Sequence, residues 1–292
     1  MALPDMISLG PAVPGQLPSR MPFPPSDSGL LERIAAGAVA ATAIAFVARR
    51  HGSLSTSGAG ATVFVGIAAT AAGWNWGVLL VAYFVAATGL SRLGRAQKER
   101  VTRGVVAKGG ARDATQVLAN GGMFAAGVLL AGIMPGRIGA SMGIAALGAL
   151  AASAADTWAT EIGTLYGGTP RYLLGFRRVT PGTSGGVSAI GSLAMVAGAT
   201  FVAMAARWLG LPGSVFIILV AGVAGALADS VLGATLQERR WCPDCERASE
   251  RHVHDCGAST TLTCGLEWMD NDTVNLIATI AGAAVAVLLA NV

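Results

Sequence analysis

The stretch "ALGALAASAADTWATEIGTLYGG" (residues 146–168) decides how this chain is read. Its first ten residues carry no charge, and Asp156 and Glu161 then follow, five residues apart. Continued upstream to about residue 138, the uncharged run is long enough to cross a bilayer. A carboxylate at the end of such a run costs several kcal/mol unless hydrated or paired, so it marks a functional candidate. Residues five apart lie about 140° from each other around a straight helix. Asp156 and Glu161 would share a face only if the helix bends or stops, and Gly163 or the Gly167-Gly168 pair offers such a place. The plainer alternative is that each carboxylate caps a helix or pairs with a loop arginine.

The whole chain has the same character. Its 292 residues have a mean hydropathy of +0.60, 53% are hydrophobic and 12% are charged, against roughly 25% charged in a soluble domain. Forty glycines suit close helix–helix approach in lipid. Apolar runs fall at about 30–48, 58–72, 74–91, 116–134, 138–155, 186–206, 213–233 and 274–291. They predict an all-α, polytopic transmembrane helical bundle of about 7–8 spans, the second run being short for a span. Residues 1–28, rich in Pro, Ser and Gly, read as a disordered tail. Residues 29–292 read as one transmembrane domain with cytoplasmic loops 92–115, 156–185 and 236–273.

Basic residues set the expected orientation. With the N-terminus outside, sixteen of the twenty Lys and Arg residues fall on the inner side; only Arg20, Arg33, Arg137 and Arg207 remain outside. The chain is thus expected in the cell inner membrane with its active face cytoplasmic. Most of these cations need no role beyond topology and contact with anionic membrane lipids. Nothing in their pattern suggests nucleic acid.

Polar residues gather at the same ends of the runs. "ALADSVLGATLQ" (residues 226–237) echoes the opening stretch: Ala228-Asp229-Ser230 matches Ala155-Asp156-Thr157, and Gly-Ala-Leu-Ala precedes both. "ANGGM" (119–123) and "TSGGV" (183–187) open the preceding runs, which suggests internal helix-hairpin repeats that bring Asp156 and Asp229 to similar depth. "RRVTPGTSGGVS" (177–188) joins Arg177 and Arg178 to Gly182, Thr183, Ser184, Gly185 and Gly186. Read as a helix start, this segment offers backbone N–H groups to a phosphate, with the arginines adding bidentate contacts. "KGGARDATQVLANGG" (108–122) supplies Lys108 and a stripe of Arg112, Gln116 and Asn120 at spacing four. "EWMDNDTVN" (267–275) places Asn271 and Asp272 at the entry to the last run. Magnesium takes carboxylates and substrate phosphates, so Asp156, Glu161, Asp229, Asn271 and Asp272 are candidate Mg²⁺ ligands. Asp156, Asp229, Arg112 and Lys108 are the candidate catalytic groups. Arg177, Arg178, residues 182–186, Gln116 and Asn120 are the candidate phosphate contacts.

All four cysteines lie in one loop. Cys242, Cys245, His254 and Cys256 form a Cys-x₂-Cys…His-x-Cys pattern suited to structural Zn²⁺, with His252 and Cys264 to spare. Free thiols are the alternative; an inside loop argues against disulfides.

The stretches "RDATQVLANGG", "SAADTWATEIG", "TPGTSGGVS", "ADSVLGATLQ", the Cys/His loop and "NDTVN" together resemble the integral-membrane family formerly called domain of unknown function 92. That family includes transmembrane protein nineteen and the plant phytyl-phosphate kinase. The resemblance runs from Arg112 to Asn275 and implies a Mg-dependent polyprenyl phosphate kinase. Such an enzyme converts an isoprenoid monophosphate to its diphosphate with CTP or ATP. The rival expectations are a transporter or flippase of phosphorylated isoprenoid lipids, and a cytidylyltransferase or phosphatase acting on a lipid phosphate. The expected partners are an isoprenoid phosphate, a nucleoside triphosphate and membrane lipids; a homo-oligomer is compatible with the sequence.

Overall fold

The computed structural model describes residues 27–102 and 110–292. The expected tail up to residue 26, and Lys108, lie outside the described residues. In chain order the elements are α1 (Asp27–Arg50), α2 (Thr56–Ala72), α3 (Trp74–Arg92), α4 (Arg95–Val101), α5 (Ala114–Ile133), α6 (Gly136–Tyr166), β1 (Arg171–Tyr172), β2 (Gly186–Val187), α7 (Ala189–Trp208), α8 (Val215–Thr235), β3 (Arg239–Cys242), β4 (Arg247–Ser249), β5 (Thr261–Cys264) and α9 (Asn271–Ala290). Among the described residues, seven helices are long and apolar enough to cross a membrane: α1, α3 and α5 to α9. The short second run becomes α2, whose 17 residues give about 25 Å of rise. The protein is therefore an integral membrane helical bundle.

Helix α6 is its axis. Every residue from Ile144 to Ala155 is Ala, Leu, Gly, Ser or Ile, and all twelve are buried. A helix apolar all round must be covered all round, and α5, α7, α8 and α9 pack against it. Small residues set the spacing. A Cβ on Gly225 would lie 2.4 Å from Ala152 Cβ and 2.8 Å from the Ala278 carbonyl. One on Gly148 would lie 2.5 Å from the Gly282 carbonyl, and one on Gly198 2.7 Å from that of Ala154. Lipid offers no hydrophobic drive between helices, so close backbone approach of this kind is what joins α6, α7, α8 and α9.

Helices α5–α6 and α7–α8 form two successive hairpins, and the second helix of each carries the Ala-Asp-Thr/Ser triplet. Two boundaries differ from expectation. The loop expected from residue 156 begins at Gly167, because α6 continues through Tyr166. Its extension stays packed: Trp158 stacks on Phe201 with ring centroids 5.6 Å apart, and Leu165 is buried. The segment 182–186 is not the start of α7. Gly182 and Gly185 adopt φ of +88° and +77°, which a helix cannot use. Helix α7 instead starts at Ala189, capped by Ser188 Oγ accepting from the Gly191 N–H at 3.1 Å.

Two small sheets stand in the connections of this otherwise all-α protein. Strands β1 and β2 pair antiparallel. In the loop before α9, β3 lies between β4 and β5, antiparallel to both. Arg239 ties that sheet to the bundle. It donates to the Gly233 and Ala234 carbonyls at the end of α8, at 2.8 and 2.7 Å, and lies over the Tyr172 ring.

Candidate active site and metal centre

Helices α1, α3, α6 and α8 end, and α2, α5, α7 and α9 begin, around one polar cavity of about 840 Å³. Asp156 from α6, Asp229 and Ser230 from α8, and Asn271, Asp272 and Asn275 from α9 all line it. Asp156 lies in the electrostatic field of Glu161, and Asp229 in that of Asp156. Asp272 is 4% exposed. Of the acidic run before α9, Asp270 is the cap: its Oδ1 accepts from the Thr273 N–H and hydroxyl, each at 2.8 Å. Asp272 is therefore not needed for capping.

The glycine segment forms a second wall. Gly182, Thr183, Ser184, Gly185 and Gly186 line the cavity as a turn leading into β2. Gly185 is wedged against the end of α8, where a Cβ would lie 2.2 Å from the Ala234 nitrogen. Ser184 Oγ donates to Glu250 Oε1 at 2.5 Å and accepts from Gln237 Nε2 at 2.9 Å. The wall is thus linked to the β3–β5 loop, from which Glu250, Arg251 and Asp255 also face the cavity.

Arg112 and Gln116 line the cavity at the start of α5. Asp113 and Gln116 form a reciprocal capping box there. The Arg112 backbone is clamped to the turn before α2: its N–H donates to the Ser53 carbonyl, and its carbonyl accepts from the Ser55 N–H, both at 3.0 Å. Gly58 permits this crossing, since a Cβ there would lie 2.0 Å from the Arg112 carbonyl oxygen. Among the described residues the Arg112 guanidinium has no hydrogen-bond or ion-pair partner, which leaves it available to an anion.

Four other expected residues are placed differently: Arg177, Arg178 and Asn120 do not line the cavity, and Glu161 lines it but is already paired. Arg177 and Arg178 are exposed near the tip of the 171–187 segment, beyond the turn made by Gly175 and Phe176 at φ +80° and +53°. Neither lines the cavity. Asn120 points deeper into the bundle, where it accepts from Ser153 Oγ at 2.8 Å; Ser153 is in turn 2.7 Å from the Tyr83 hydroxyl. Glu161 lines the cavity but is engaged by Lys98 at 2.5 Å. The Lys98 ammonium also donates to the Leu90 and Ser91 carbonyls, at 2.8 and 3.0 Å. Lys98 thereby caps α3 and fastens it to α6. In the sequence, Lys98 is one of the sixteen inner-side cations and carries no other signal. The Tyr83–Ser153 contact, 70 residues apart in sequence, left no local signal at all.

The cysteine cluster assembles as its spacing predicted. Ligand atoms of Cys242, Cys245, His254 and Cys256 lie within 4.8 Å of one another. Cys242 and Cys245 flank the turn from β3 to β4, while His254 and Cys256 lie in the loop between β4 and β5. Cys242 Sγ is 3.5 Å from Cys256 Sγ, which is 3.3 Å from His254 Nδ1. His254 Nε2 is buried without a hydrogen-bond partner among the described residues. Three thiols and an unsatisfied imidazole nitrogen form the donor set that tetrahedral zinc accepts. Cys256 is lowered to about 7 by the Ala258 backbone N–H and by His254, while Cys245 is raised to about 11 by its hydrogen bond to Cys256. His252 and Cys264 stand outside the cluster.

Fold and site together define an integral membrane protein with one carboxylate-rich cavity at a single end of the bundle and a Cys₃His cluster beside it. The chain belongs to the integral membrane protein DUF92 family, whose profile matches residues 39–283. It is 30% identical over 269 residues to Protein PGR of Arabidopsis thaliana, covering 84% of this chain and 92% of that protein. It is 29% identical over 245 residues to the chloroplastic Protein VTE6 of the same plant, covering 81% of this chain and 65% of that protein. An uncharacterized membrane protein of Methanocaldococcus jannaschii is 29% identical over 220 residues, covering 74% of this chain and 77% of its own length. No solved structure matches this chain.

Proposed function

We propose that this protein is a Mg²⁺-dependent isoprenoid-phosphate kinase working at the cytoplasmic face of the cell inner membrane, with its N-terminus outside. The observation that carries the reading is the convergence of Asp156, Asp229 and Asp272, from three different helices, on one cavity that Arg112 and the 182–186 turn also line. The family resemblance, which includes a plant phytyl-phosphate kinase, supplies the substrate class.

The carboxylates and the Asn271 amide suit a hard cation. When bound, Mg²⁺ would neutralise the triphosphate and the charge that develops on its leaving group. Asp156, Asp229, Asp272 and Asn271 are assigned to hold it; Glu161, paired with Lys98, is left to structure. Turn 182–186 is assigned to the donor phosphates and Arg112 to the acceptor phosphate. In the transfer, an oxygen of the lipid monophosphate forms a bond to the donor's γ-phosphorus. The bond from that phosphorus to the β,γ-bridging oxygen breaks, and the nucleoside diphosphate leaves with the electron pair. Positioning and charge do most of the work in such a reaction, so no covalent protein intermediate is required.

The transporter reading needs a polar path through the bundle. The wholly buried apolar stretch of α6 beyond Asp156 argues against one. Product analysis decides among the enzymes. Purified protein with Mg²⁺, labelled CTP or ATP and geranylgeranyl monophosphate is expected to yield lipid diphosphate. A nucleotide-linked lipid would indicate the cytidylyltransferase, and free alcohol the phosphatase.

We further propose structural Zn²⁺ at Cys242, Cys245, His254 and Cys256. Purified protein is expected to carry one zinc per chain by elemental analysis, and Cys242→Ser or His254→Ala to lose it. Hydrogen exchange across β3–β5 should rise in the same variants, because a loop with little core of its own depends on the metal to fold. Zinc-free wild-type protein with an equally protected loop would remove the assignment.

A further inference from the structure

A second cavity, of about 360 Å³, lies between α1, α2, α3 and α5. Its walls are mainly apolar, with small residues at Gly37 and Ala41 of α1, Gly66 of α2, and Val78 and Val81 of α3, while Thr62, Thr70, Tyr83 and Asn120 add uncharged polar groups. It extends from Leu54, beside the turn before α2, toward Trp74 at the opposite end of α3. The stretch of α3 from Trp74 to Phe84 alone gives it about 15 Å of length. Two residues belong to both cavities: Arg112 and Gln116 line each. Thr157 lines the apolar cavity, and Asp156, next to it in sequence, lines the polar one.

Resting on the kinase reading, we infer that this groove holds the isoprenoid chain of the phosphate acceptor, with its monophosphate at Arg112 beside Asp156. An amphiphile with a doubly charged head and a branched apolar tail meets the two environments in the order the helices present them. The head reaches the available guanidinium at the mouth. The tail lies along glycine and alanine, where methyl branches have room. The inner walls leave no charge along the tail, so chain length is read by how far the groove stays open.

The test fills the groove without touching the polar site. Ala40 and Val81 line it and are exposed on their helices, Val81 by 39%, so Ala40→Trp and Val81→Trp can be accommodated. Val39→Trp, next to Ala40 but outside the lining and 73% exposed, is the control. Binding of geranyl and geranylgeranyl monophosphate is measured by native mass spectrometry, and phosphorylation of both is measured in parallel. The groove predicts that each lining variant weakens binding of the longer chain at least about tenfold and of the shorter chain much less. Val39→Trp should change neither. Unchanged affinity for the longer chain in both lining variants, or an equal loss for both chain lengths, would overturn the inference, as would phospholipid displacing the longer chain at equal concentration. Length-selective binding with no phosphorylation would keep the groove and remove the kinase. Phosphorylation indifferent to both lining variants would do the reverse.

Discussion

Asp156→Asn and Asp229→Asn should each lower lipid diphosphate formation by at least about a thousandfold, the scale of losing a principal electrostatic contribution to a transition state. Both substitutions preserve side-chain size and remove a charge. Each lies where like charges crowd, Asp156 near Glu161 and Asp229 near Asp156, so the folded protein should lose nothing by the exchange. Thermal midpoints at or above wild type, together with lost turnover, are the expected pair of results in detergent or nanodiscs. Normal turnover in either variant would strip that aspartate of its role. A collapsed midpoint would make it a structural residue. Arg112→Met should raise KM for the lipid phosphate more than it lowers kcat, because its assigned contact is with the acceptor in ground and transition state alike.

The second large effect concerns packing. Gly225→Val should destabilise the bundle by about 3 kcal/mol, the upper range for forcing bulk into a packed core. The Cβ alone would meet Ala152 Cβ at 2.4 Å and the Ala278 carbonyl at 2.8 Å. That contact is where α6, α8 and α9 come together, and these helices carry Asp156, Asp229 and Asp272. Turnover should therefore fall with stability. Gly89→Ala on α3 is the matched control, since nothing lies within 4 Å of the added Cβ. It should be neutral or slightly stabilising, as Ala is the better helix former. If Gly225→Val melts like wild type, the helices do not pack as closely as described.

Much of this arrangement could be read from the chain because lipid imposes simple rules. Each long apolar run became one helix, and the short run at 58–72 became the short helix α2. The Cys/His spacing foretold its cluster, because a compact turn can gather ligands only from nearby positions. Asp156 and Asp229 stood out because charge is rare in such sequence. The errors fall where local pattern and tertiary contact diverge. Residues 182–186 looked like a helix start, yet positive φ at Gly182 and Gly185 makes them a turn against α8. Arg177 and Arg178 looked like phosphate ligands from their neighbours in sequence, but the 171–187 segment carries them away from the cavity. Asn120 continued a polar stripe whose upper end faces Ser153 and Tyr83 instead. Lys98, Tyr83 and Ser153 act through partners tens of residues distant, and no short-range pattern encodes such contacts.

Aspartates from α6, α8 and α9 are proposed to form one cation site at one end of the bundle. Binding of Mn²⁺, a paramagnetic stand-in for Mg²⁺, reads this directly by electron paramagnetic resonance on the full-length protein in nanodiscs. Saturable binding is expected, weakened at least about tenfold in each of Asp156→Asn, Asp229→Asn and Asp272→Asn. Affinity unchanged in all three variants would contradict it.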